Sequence, residues 1–263
     1  MKGSAITRIV LYSILLLLLI GILLAGLGVG LAIRTLDYLP GLHWGGMSGG
    51  TVAESGSVAA EQIREIEVEW VGGSITIEPG DTDTITFSES SYGSGCEPMV
   101  WKQSGSKLHI QFNNLRWSIG IHVAYEKDLV ITVPRDWIGQ ELDISCVSAD
   151  VTVRDGNFYS VDFDTVSGDL RYTGRLDTLD CESVSGNCIA VLTQTPSELS
   201  LDSVSGNLDV TLPEDTGYTA TIDSLSGKLS SEFLTAWGDH TYGDGRCRID
   251  ADTLSGDLRI RKG

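Results

Sequence analysis

The sequence predicts an all-β domain, a single-stranded β-solenoid of about six rungs with an N-terminal β cap, preceded by one transmembrane helix. Three observations lead to this prediction: an uncharged apolar segment near the amino terminus, period-two alternation of apolar residues in the middle of the chain, and a short motif that recurs at intervals near 20 residues. They divide the 263 residues into a cytoplasmic tail (1–8), a transmembrane helix (9–33), a Gly/Ser-rich linker (34–61), an N-terminal β cap (62–135) and β-solenoid repeats (136–263).

Residues 9–33 are long and apolar enough to cross a lipid bilayer as a helix. Of these 25 residues 20 are apolar, and the others are one serine and four glycines. A helix of that length spans about 37 Å, more than the ~30 Å hydrocarbon core. A cleaved signal peptide is the alternative, but its apolar region would be shorter and followed by small residues, whereas this run ends in Leu31, Ala32, Ile33 and Arg34. We therefore predict an uncleaved anchor.

The charges that flank the apolar segment predict its direction. Lys2 and Arg8 precede the segment, whereas only Arg34 follows it closely. The positive-inside rule therefore places the amino terminus in the cytoplasm and the C-terminal domain outside, in a single-pass cell-membrane protein. Gly26 and Gly30 form a small-x-x-x-small pair that would let two such helices approach closely, so the sequence leaves open a homodimer through this face.

The charge balance restricts the partners of the remaining chain. The net charge is -18, yet the mean hydropathy is +0.06. The apolar segment raises the mean hydropathy, and all 36 acids lie outside it. The residues after this segment hold all 36 acids against 16 bases, a net charge of −20. A surface of this sign repels phosphate backbones, so no nucleic-acid partner is expected. Residues 34–61 are rich in glycine and serine, which is typical of a flexible linker.

Apolar residues alternate with polar ones between residues 63 and 133. Ile75 and Ile77 show this alternation, as do Leu129, Ile131 and Val133. Such period-two runs, broken by glycine and proline, are typical of short strands joined by turns. We expect this region to begin with a turn around Gly73 that resembles a rung, and otherwise to cover one open end of the solenoid.

A tripeptide, Val/Leu-Ser-Gly, organises the last 120 residues. Its glycine, or alanine in the first degenerate copy, recurs at spacings of 19, 18, 20, 21 and 29 residues. A fixed period near 20 residues indicates a solenoid, in which small units stack to close a common core. The long last interval, from Ser231 to Cys247, is then expected to be an insertion that projects from one rung. The glycine or alanine positions are Ala149, Gly168, Gly186, Gly206, Gly227 and Gly256.

The five copies that end in glycine carry an acid and then a hydroxyl residue just before the tripeptide, where the alternation breaks and a corner must form. Asp, Ser and Thr suit a corner because their oxygens accept hydrogen bonds from nearby backbone N–H groups. The stacked acids would repel one another, so either each is compensated locally or a cation such as Ca²⁺ bridges them. No EF-hand or RTX motif accompanies them, and we favour the turn role with no bound metal. This carboxylate column is Asp164, Glu182, Asp202, Asp223 and Asp252.

The cysteines and histidines do not form a recognisable catalytic or metal motif. Five cysteines cannot all pair with one another, and Cys181 and Cys188 fall on inward apolar positions, where a free thiol behaves as a small hydrophobe. Cys96 and Cys247 lie in expected loops and are the better candidates for reactive or pairing thiols. We expect no catalytic residues and no cofactor. Aromatic side chains can anchor a partner, and the candidates for such contacts are Trp237, His240 and Tyr242.

The repeated Val-Ser-Gly-Asp/Asn-Leu pattern, the closing segment Ile249 to Ile260 and the opening segment Val68 to Ile77 resemble the bacterial toast-rack putative adhesins. The resemblance covers roughly residues 63–262. It implies a β-solenoid, exposure at the cell surface and, in some members, association with envelope-stress systems. It supplies no catalytic residues.

From the apolar segment, its flanking charges and this resemblance together we expect a membrane-anchored, extracytoplasmic adhesin or surface scaffold that is not an enzyme, with a cell-surface protein or glycan as partner. One alternative is an envelope-stress sensor or regulator that signals or assembles at the membrane. A second is a polysaccharide-acting β-helix enzyme that uses the carboxylate column. Such enzymes need an acid/base pair in a groove, whereas this column is repeated and therefore indicates a structural role.

Overall fold

The computed structural model describes residues 49–91, 97–113, 126–233 and 240–263. The predicted transmembrane helix 9–33, with Gly26 and Gly30, lies outside the described residues, as do Cys96 and Trp237. Within the described residues, no helix has the length and apolar character needed to cross a membrane.

The described part of the chain is all-β, with one 3-10 turn at Ala60–Gln62 and no α-helix. Its strands are β1 Thr51–Val52, β2 Ser55–Ala59, β3 Glu65–Gly80, β4 Thr84–Ser91, β5 Val100–Ser104, β6 Lys107–Gln111, β7 Lys127–Pro134, β8 Gly139–Thr165, β9 Leu170–Arg175, β10 Thr178–Ser183, β11 Cys188–Leu192, β12 Glu198–Ser203, β13 Leu208–Leu212, β14 Tyr218–Ser224, β15 Leu229–Ser231, β16 Thr241–Tyr242, β17 Cys247–Thr253 and β18 Leu258–Lys262.

Most of these strands stack in two parallel ladders that meet at a corner. In the first ladder β10 lies between β8 and β12, and Cys181 is opposite Leu201. In the second ladder β11 lies between β9 and β13, and Cys188 is opposite Leu208. Each rung therefore consists of one strand before the corner and one after it, as the broken alternation of each repeat predicts.

The described residues form seven such rungs rather than six. The additional rung is β3, which pairs with β8 on both sides of the corner and places Gly73 opposite Ala149. A rung-like turn around Gly73 is thus confirmed, although it lies within the region assigned to the cap. In chain order the rungs are 65–80, 141–153, 160–175, 178–192, 198–212, 218–231 and 247–262.

The last rung of the chain is not the last rung of the stack. Strand β17 pairs with β12 on one side and with β14 on the other, and β18 likewise lies between β13 and β15. Rung 247–262 is therefore inserted between rungs 198–212 and 218–231. The segment between Ser231 and Cys247, which the repeat spacing predicts to be an insertion, connects rung 218–231 to rung 247–262, and its β16 pairs antiparallel with β14.

The strands outside the rungs cover the β3 end of the stack. Strand β6 extends the first ladder beyond β3, and β5 and β1 follow in antiparallel order. Strand β7 extends the second ladder beyond β3, and β4 and β2 follow, again antiparallel. These pairings satisfy the backbone groups of an otherwise open edge, which is the role expected of a cap.

The inward positions of the rungs are apolar and form one continuous core. In rung 198–212, Leu199, Leu201, Leu208 and Val210 are each at most 2% exposed. Burying a side chain of this size stabilises a fold by about 1.5–3 kcal/mol, so the stacked columns provide the main driving force for the repeat.

One lysine is fully buried beside this core. Lys127, the first residue of β7, is 0% exposed. Its Nζ donates to the Glu89 carboxylate at 3.1 Å and to the Glu97 carbonyl at 2.5 Å, and it lies 4.5 Å from the centre of the Phe112 ring. Removing one member of a buried ion pair typically costs about 3–5 kcal/mol, because the other charge is left uncompensated. The pair therefore holds β7 to β4 within the cap, a contact that the sequence analysis did not identify.

Candidate functional site

The hydroxyl residue at each corner binds the turn that follows it. Thr165 Oγ1 accepts a hydrogen bond from the Gly168 N–H at 2.9 Å, and Ser203 Oγ accepts one from the Gly206 N–H at 3.0 Å. The same contact recurs at Ser224 with Gly227 and at Thr253 with Gly256. In the degenerate first copy the thiol of Cys146 replaces the hydroxyl and donates to the Ala149 carbonyl at 3.4 Å.

The corner glycines stack so closely that no side chain fits. A Cβ atom on Gly206 would lie 2.1 Å from the carbonyl oxygen of Gly186, and one on Gly256 would lie 1.8 Å from that of Gly206. Gly227 meets Gly256 in the same way, at 1.8 Å. The copies from Gly168 onward therefore require glycine, because the neighbouring rung occupies the space of a Cβ atom, whereas the first copy, which lies opposite Gly73, carries Ala149.

A ladder of side-chain amides and carboxylates follows these glycines. Asn187 Oδ1 accepts from the Asn207 backbone N–H at 3.2 Å and from its Nδ2 at 2.7 Å, and Asn207 Oδ1 accepts from the Asp257 N–H at 2.9 Å. At the end of the stack, Asp257 Oδ1 accepts from the Lys228 N–H at 3.0 Å. The sequence analysis recorded Asp or Asn after the glycine without assigning it this role. The acceptors of the ladder are Asp150, Asp169, Asn187, Asn207 and Asp257.

The structure brings the five predicted corner acids into one column on the outer side of the first ladder. Glu182 lies opposite Asp164 and Asp202, and Asp252 lies opposite Asp202 and Asp223. The N–H groups of four corner glycines go to the adjacent hydroxyls.

A second column of acids runs beside the first, two residues earlier in the strand, in five of the seven rungs; Ser200 and Thr221 take these positions in rungs 198–212 and 218–231. Glu67 lies opposite Asp143, and Asp162 lies opposite Asp180. Since side chains two residues apart point to the same side of a strand, both columns share one surface. We call this surface the acidic face, and it comprises Glu67, Asp143, Asp162, Asp164, Asp180, Glu182, Asp202, Asp223, Asp250 and Asp252.

Six carboxylates of the acidic face are harder to ionise than ordinary ones. Partial burial, and then the charge of Glu182, raise the pKa of Asp164 to about 7. Burial followed by neighbouring carboxylates likewise raises the pKa values of Asp143, Asp162 and Asp202 to about 6. The pKa values of Asp180 and Glu182 are also raised, first by loss of water. The face therefore carries a crowded negative charge that a proton or another cation would relieve.

We expect the domain to become more stable as the pH falls from 8 to about 5. The raised pKa values mean that the folded chain binds protons that the unfolded chain, with an ordinary value of 3.8 for Asp, does not bind in this window. The free energy of unfolding should rise by about 1–3 kcal/mol, after a discount for the partial exposure of these groups. Urea unfolding at several pH values measures it.

A pair of variants isolates the contribution of the acidic face. Asp164→Asn should stabilise the domain at pH 8 by about 1 kcal/mol and flatten the pH profile, since one crowded charge is gone. Asp215→Asn removes an exposed carboxylate in the turn between β13 and β14 and should leave the profile unchanged. Equal profiles for both variants would contradict the assignment.

One end of the acidic face meets the only group of histidine, cysteine or acid side chains in the described residues with metal-ligand spacing. The ligand atoms of Glu67, Glu69 and His109 lie within 4.8 Å of one another, and His109 Nε2 is 3.6 Å from Glu69 Oε1. An imidazole and two carboxylates suit a divalent transition metal. However, Lys107 Nζ lies 3.4 Å from Glu67, and Gln111 Nε2 donates to Glu69 at 2.5 Å, so both carboxylates already have partners.

The repeated part of the chain matches a known protein family. Residues 63–174 and 138–261 each match the family model described as Toastrack DUF4097. The chain belongs to the Toastrack family. We call residues 63–261 the Toastrack region.

Solved structures similar to the chain share little sequence with it. A putative cell adhesion protein from Clostridium sporogenes has 12% identity and a TM-score of 0.45, and the match covers 80% of this chain and 98% of that one. A putative adhesin from Bacteroides fragilis has 10% identity and a TM-score of 0.42, with coverage of 80% and 96%. A putative lipid binding protein from Parabacteroides distasonis has 13% identity and a TM-score of 0.32, also with coverage of 80% and 96%. No curated protein matches the chain.

The predicted aromatic contacts are only partly within the described Toastrack region. His240 is exposed, whereas Tyr242 is half-buried, with its ring centre 4.9 Å from that of Phe233 and 5.9 Å from that of Tyr218. Tyr242 therefore packs the connection between two rungs against the domain. Trp237 lies outside the described residues, and its role as a partner contact, like that of His240, stays a prediction.

The cysteine assignments of the Toastrack region need one correction. Cys247 is not a loop thiol, because it is the first residue of β17 and fully buried. Burial raises the pKa of this thiol to about 12, so it is a poor nucleophile. Cys247 is buried because β17 is inserted between β12 and β14. The spacing of the repeats does not indicate this insertion.

Proposed function

We propose that the protein is a membrane-anchored, extracytoplasmic adhesion or scaffold module without enzymatic activity. Residues 9–33 hold it in the cell membrane with the amino terminus in the cytoplasm. The Toastrack region stands outside the cell and meets a cell-surface protein or glycan.

The observation that carries this proposal is that the recurring polar residues of the repeat contact neighbouring residues of the stack itself. The corner hydroxyls bind their own turns, and the Asn/Asp ladder binds from rung to rung. Reaction centres usually interrupt such regularity, because catalytic groups break local structural rules. A repeat whose polar groups serve stacking is typical of solenoids that present an extended surface for binding.

The acidic face supports a binding role for that surface. Burial, and then the charges of neighbouring carboxylates, raise the pKa values of Asp164 and Asp202. A partner that places cationic groups over the face would reduce the repulsion between these charges, so electrostatic complementarity favours basic partners over acidic ones.

The test compares cells that carry the full chain with cells that carry only residues 1–61, which keep the anchor and the linker. A protease that cannot enter the cell should remove the Toastrack region from intact cells. Cells with the full chain should also be retained several-fold better on a surface coated with a basic protein or a cationic glycan, which places positive charges opposite the acidic face. Variants Asp202→Asn and Asp223→Asn remove charges of the acidic face and should lower retention, whereas Asp215→Asn, at an exposed position outside that face, should retain cells as the parent does.

Each arm has an outcome that contradicts the proposal. If the Toastrack region survives protease until the cells are lysed, the extracytoplasmic location is wrong. If both kinds of cell are retained equally although the region is exposed, the adhesion role is wrong. If the full chain cleaves a polysaccharide and Asp202→Asn abolishes the cleavage, the protein is an enzyme.

A further inference from the structure

Rung 178–192 differs from the other rungs at the two inward positions that flank its corner. Those positions hold Cys181 and Cys188. The corresponding positions of the adjacent rung 198–212 hold Leu201 and Leu208, which lie opposite the two cysteines in the ladders. Both members of one facing pair have therefore changed from apolar side chains to thiols in the same rung.

The two thiols are in contact in the fold. The Sγ atoms of Cys181 and Cys188 lie 2.6 Å apart, and each residue is 1% exposed. Non-bonded heavy atoms normally approach to about 3.5 Å, so two separate thiols are crowded at this position. The pairing of these strands places apolar residues on either side, with Phe163 and Leu170 in the preceding rung. Within the described residues, the two sulfur atoms are hydrogen-bond partners of each other and of no other group.

We propose that Cys181 and Cys188 form a disulfide within rung 178–192. The bond joins the two Sγ atoms, and the two thiols release two protons and two electrons. The electrons reduce an external disulfide to two thiols, through attack by one cysteine to give a mixed disulfide and then displacement by the other. The oxidant is thus a disulfide of the extracytoplasmic compartment, carried by a small molecule or by an exchange protein.

Because both sulfur atoms are buried in the folded domain, this exchange must occur during folding. Burial raises the pKa of Cys181 well above its usual range, so its thiol does not react as a nucleophile in the folded domain. The exchange therefore takes place while the chain folds, before rungs 160–175 and 198–212 close over the corner. Once formed, the bond links the two ladders within one rung, where the other rungs rely on apolar contact.

The primary experiment is a mass measurement on the full chain isolated from its own membranes. Free thiols are alkylated in denaturant at the moment of lysis, and the protein is digested without reduction. No lysine or arginine lies between Cys181 and Cys188, so trypsin leaves both in one peptide, which should be two hydrogens lighter than the reduced form. Cleavage after Glu182 cuts between them and should leave two peptides joined only by the bond.

Matched variants identify the pair. Cys146→Ser removes a corner thiol that contacts Thr165 and should leave the bond intact. Cys181→Ser should convert Cys188 to the alkylated form. A full chain refolded in oxidised glutathione should unfold about 5–10 °C higher than the same chain refolded in a reducing buffer, as expected for closing a short loop. The double variant Cys181→Ala/Cys188→Ala should show no difference between the two buffers.

The cellular arm rests on the proposed extracytoplasmic location, and the refolding arm does not. A bond found after refolding but absent from the protein taken from cells would support the geometry and overturn the location. Two alkylated cysteines in both preparations of folded protein would overturn the disulfide itself.

Discussion

Replacing Gly206 by alanine should destabilise the Toastrack region by at least about 3 kcal/mol. The new Cβ atom would lie 2.1 Å from the Gly186 carbonyl oxygen and 2.9 Å from Ser183 Oγ. The first of these atoms belongs to the backbone of the next rung, so it can move away only if the ladder opens at the corner. The change is purely steric, because Gly206 does not have a positive φ. Urea unfolding of the purified chain measures the loss as a lower midpoint.

Ser205→Ala is the matched control for this variant. Ser205 lies in the same turn and is exposed, and its Oγ lies 3.5 Å from the Val184 carbonyl, the limit of a weak contact. This control should stay within about 0.5 kcal/mol of the parent. A Gly206→Ala chain that unfolds at the parent's midpoint would show that the corner glycines are not stacked as described.

The repeat could be predicted from the sequence because its information is local. Apolar residues recur at fixed offsets from each glycine, so inward positions such as Leu201, Leu208 and Val210 follow from alternation alone. The corner follows from the break in that alternation, and the column of five acids follows from their equal offset. The family resemblance rests on the same pattern and is confirmed by the Toastrack match.

Contacts between distant strands could not be predicted in this way. Glu67 and His109 are neighbours only because β3 pairs with β6, and Glu89 meets Lys127 only because β4 pairs with β7. The second column of acids was missed for a different reason. Its members, such as Asp162 and Asp180, lie two residues before the corner acids. They share the same face as the corner acids but lie outside the corner motif, so the motif did not indicate them.

The order of the rungs is the other feature that repeat spacing does not contain. All copies offer nearly the same edge to a neighbour, so the sequence pattern permits stacking in chain order. The structure instead places Asp250 of β17 between Ser200 of β12 and Thr221 of β14. The longest interval between copies, 29 residues, supplies the connection that this return needs.

Engineered cysteine pairs should report this order with an almost all-or-none result. Ser200→Cys with Asp250→Cys should form a disulfide nearly completely under mild oxidation, because adjacent strands lie ~4.8 Å apart, within the range that a disulfide bridges. Ser200→Cys with Thr221→Cys should form essentially none, since two strand spacings, about 9.6 Å, exceed the limit of about 7 Å. Peptide mapping without reduction distinguishes the new bond from the native cysteines.

The two double variants decide between the alternative stackings because they share one substituted residue. Under stacking in chain order, Ser200 and Thr221 would occupy the same offset in adjacent rungs and would be the pair that forms the bond. A cross-link between residues 200 and 221, with none between residues 200 and 250, would therefore contradict the inserted rung. A cross-link between residues 200 and 250, with none between residues 200 and 221, would show that rung 247–262 lies inside the stack. Rung 218–231 is then attached to the other rungs only through β17 and β18.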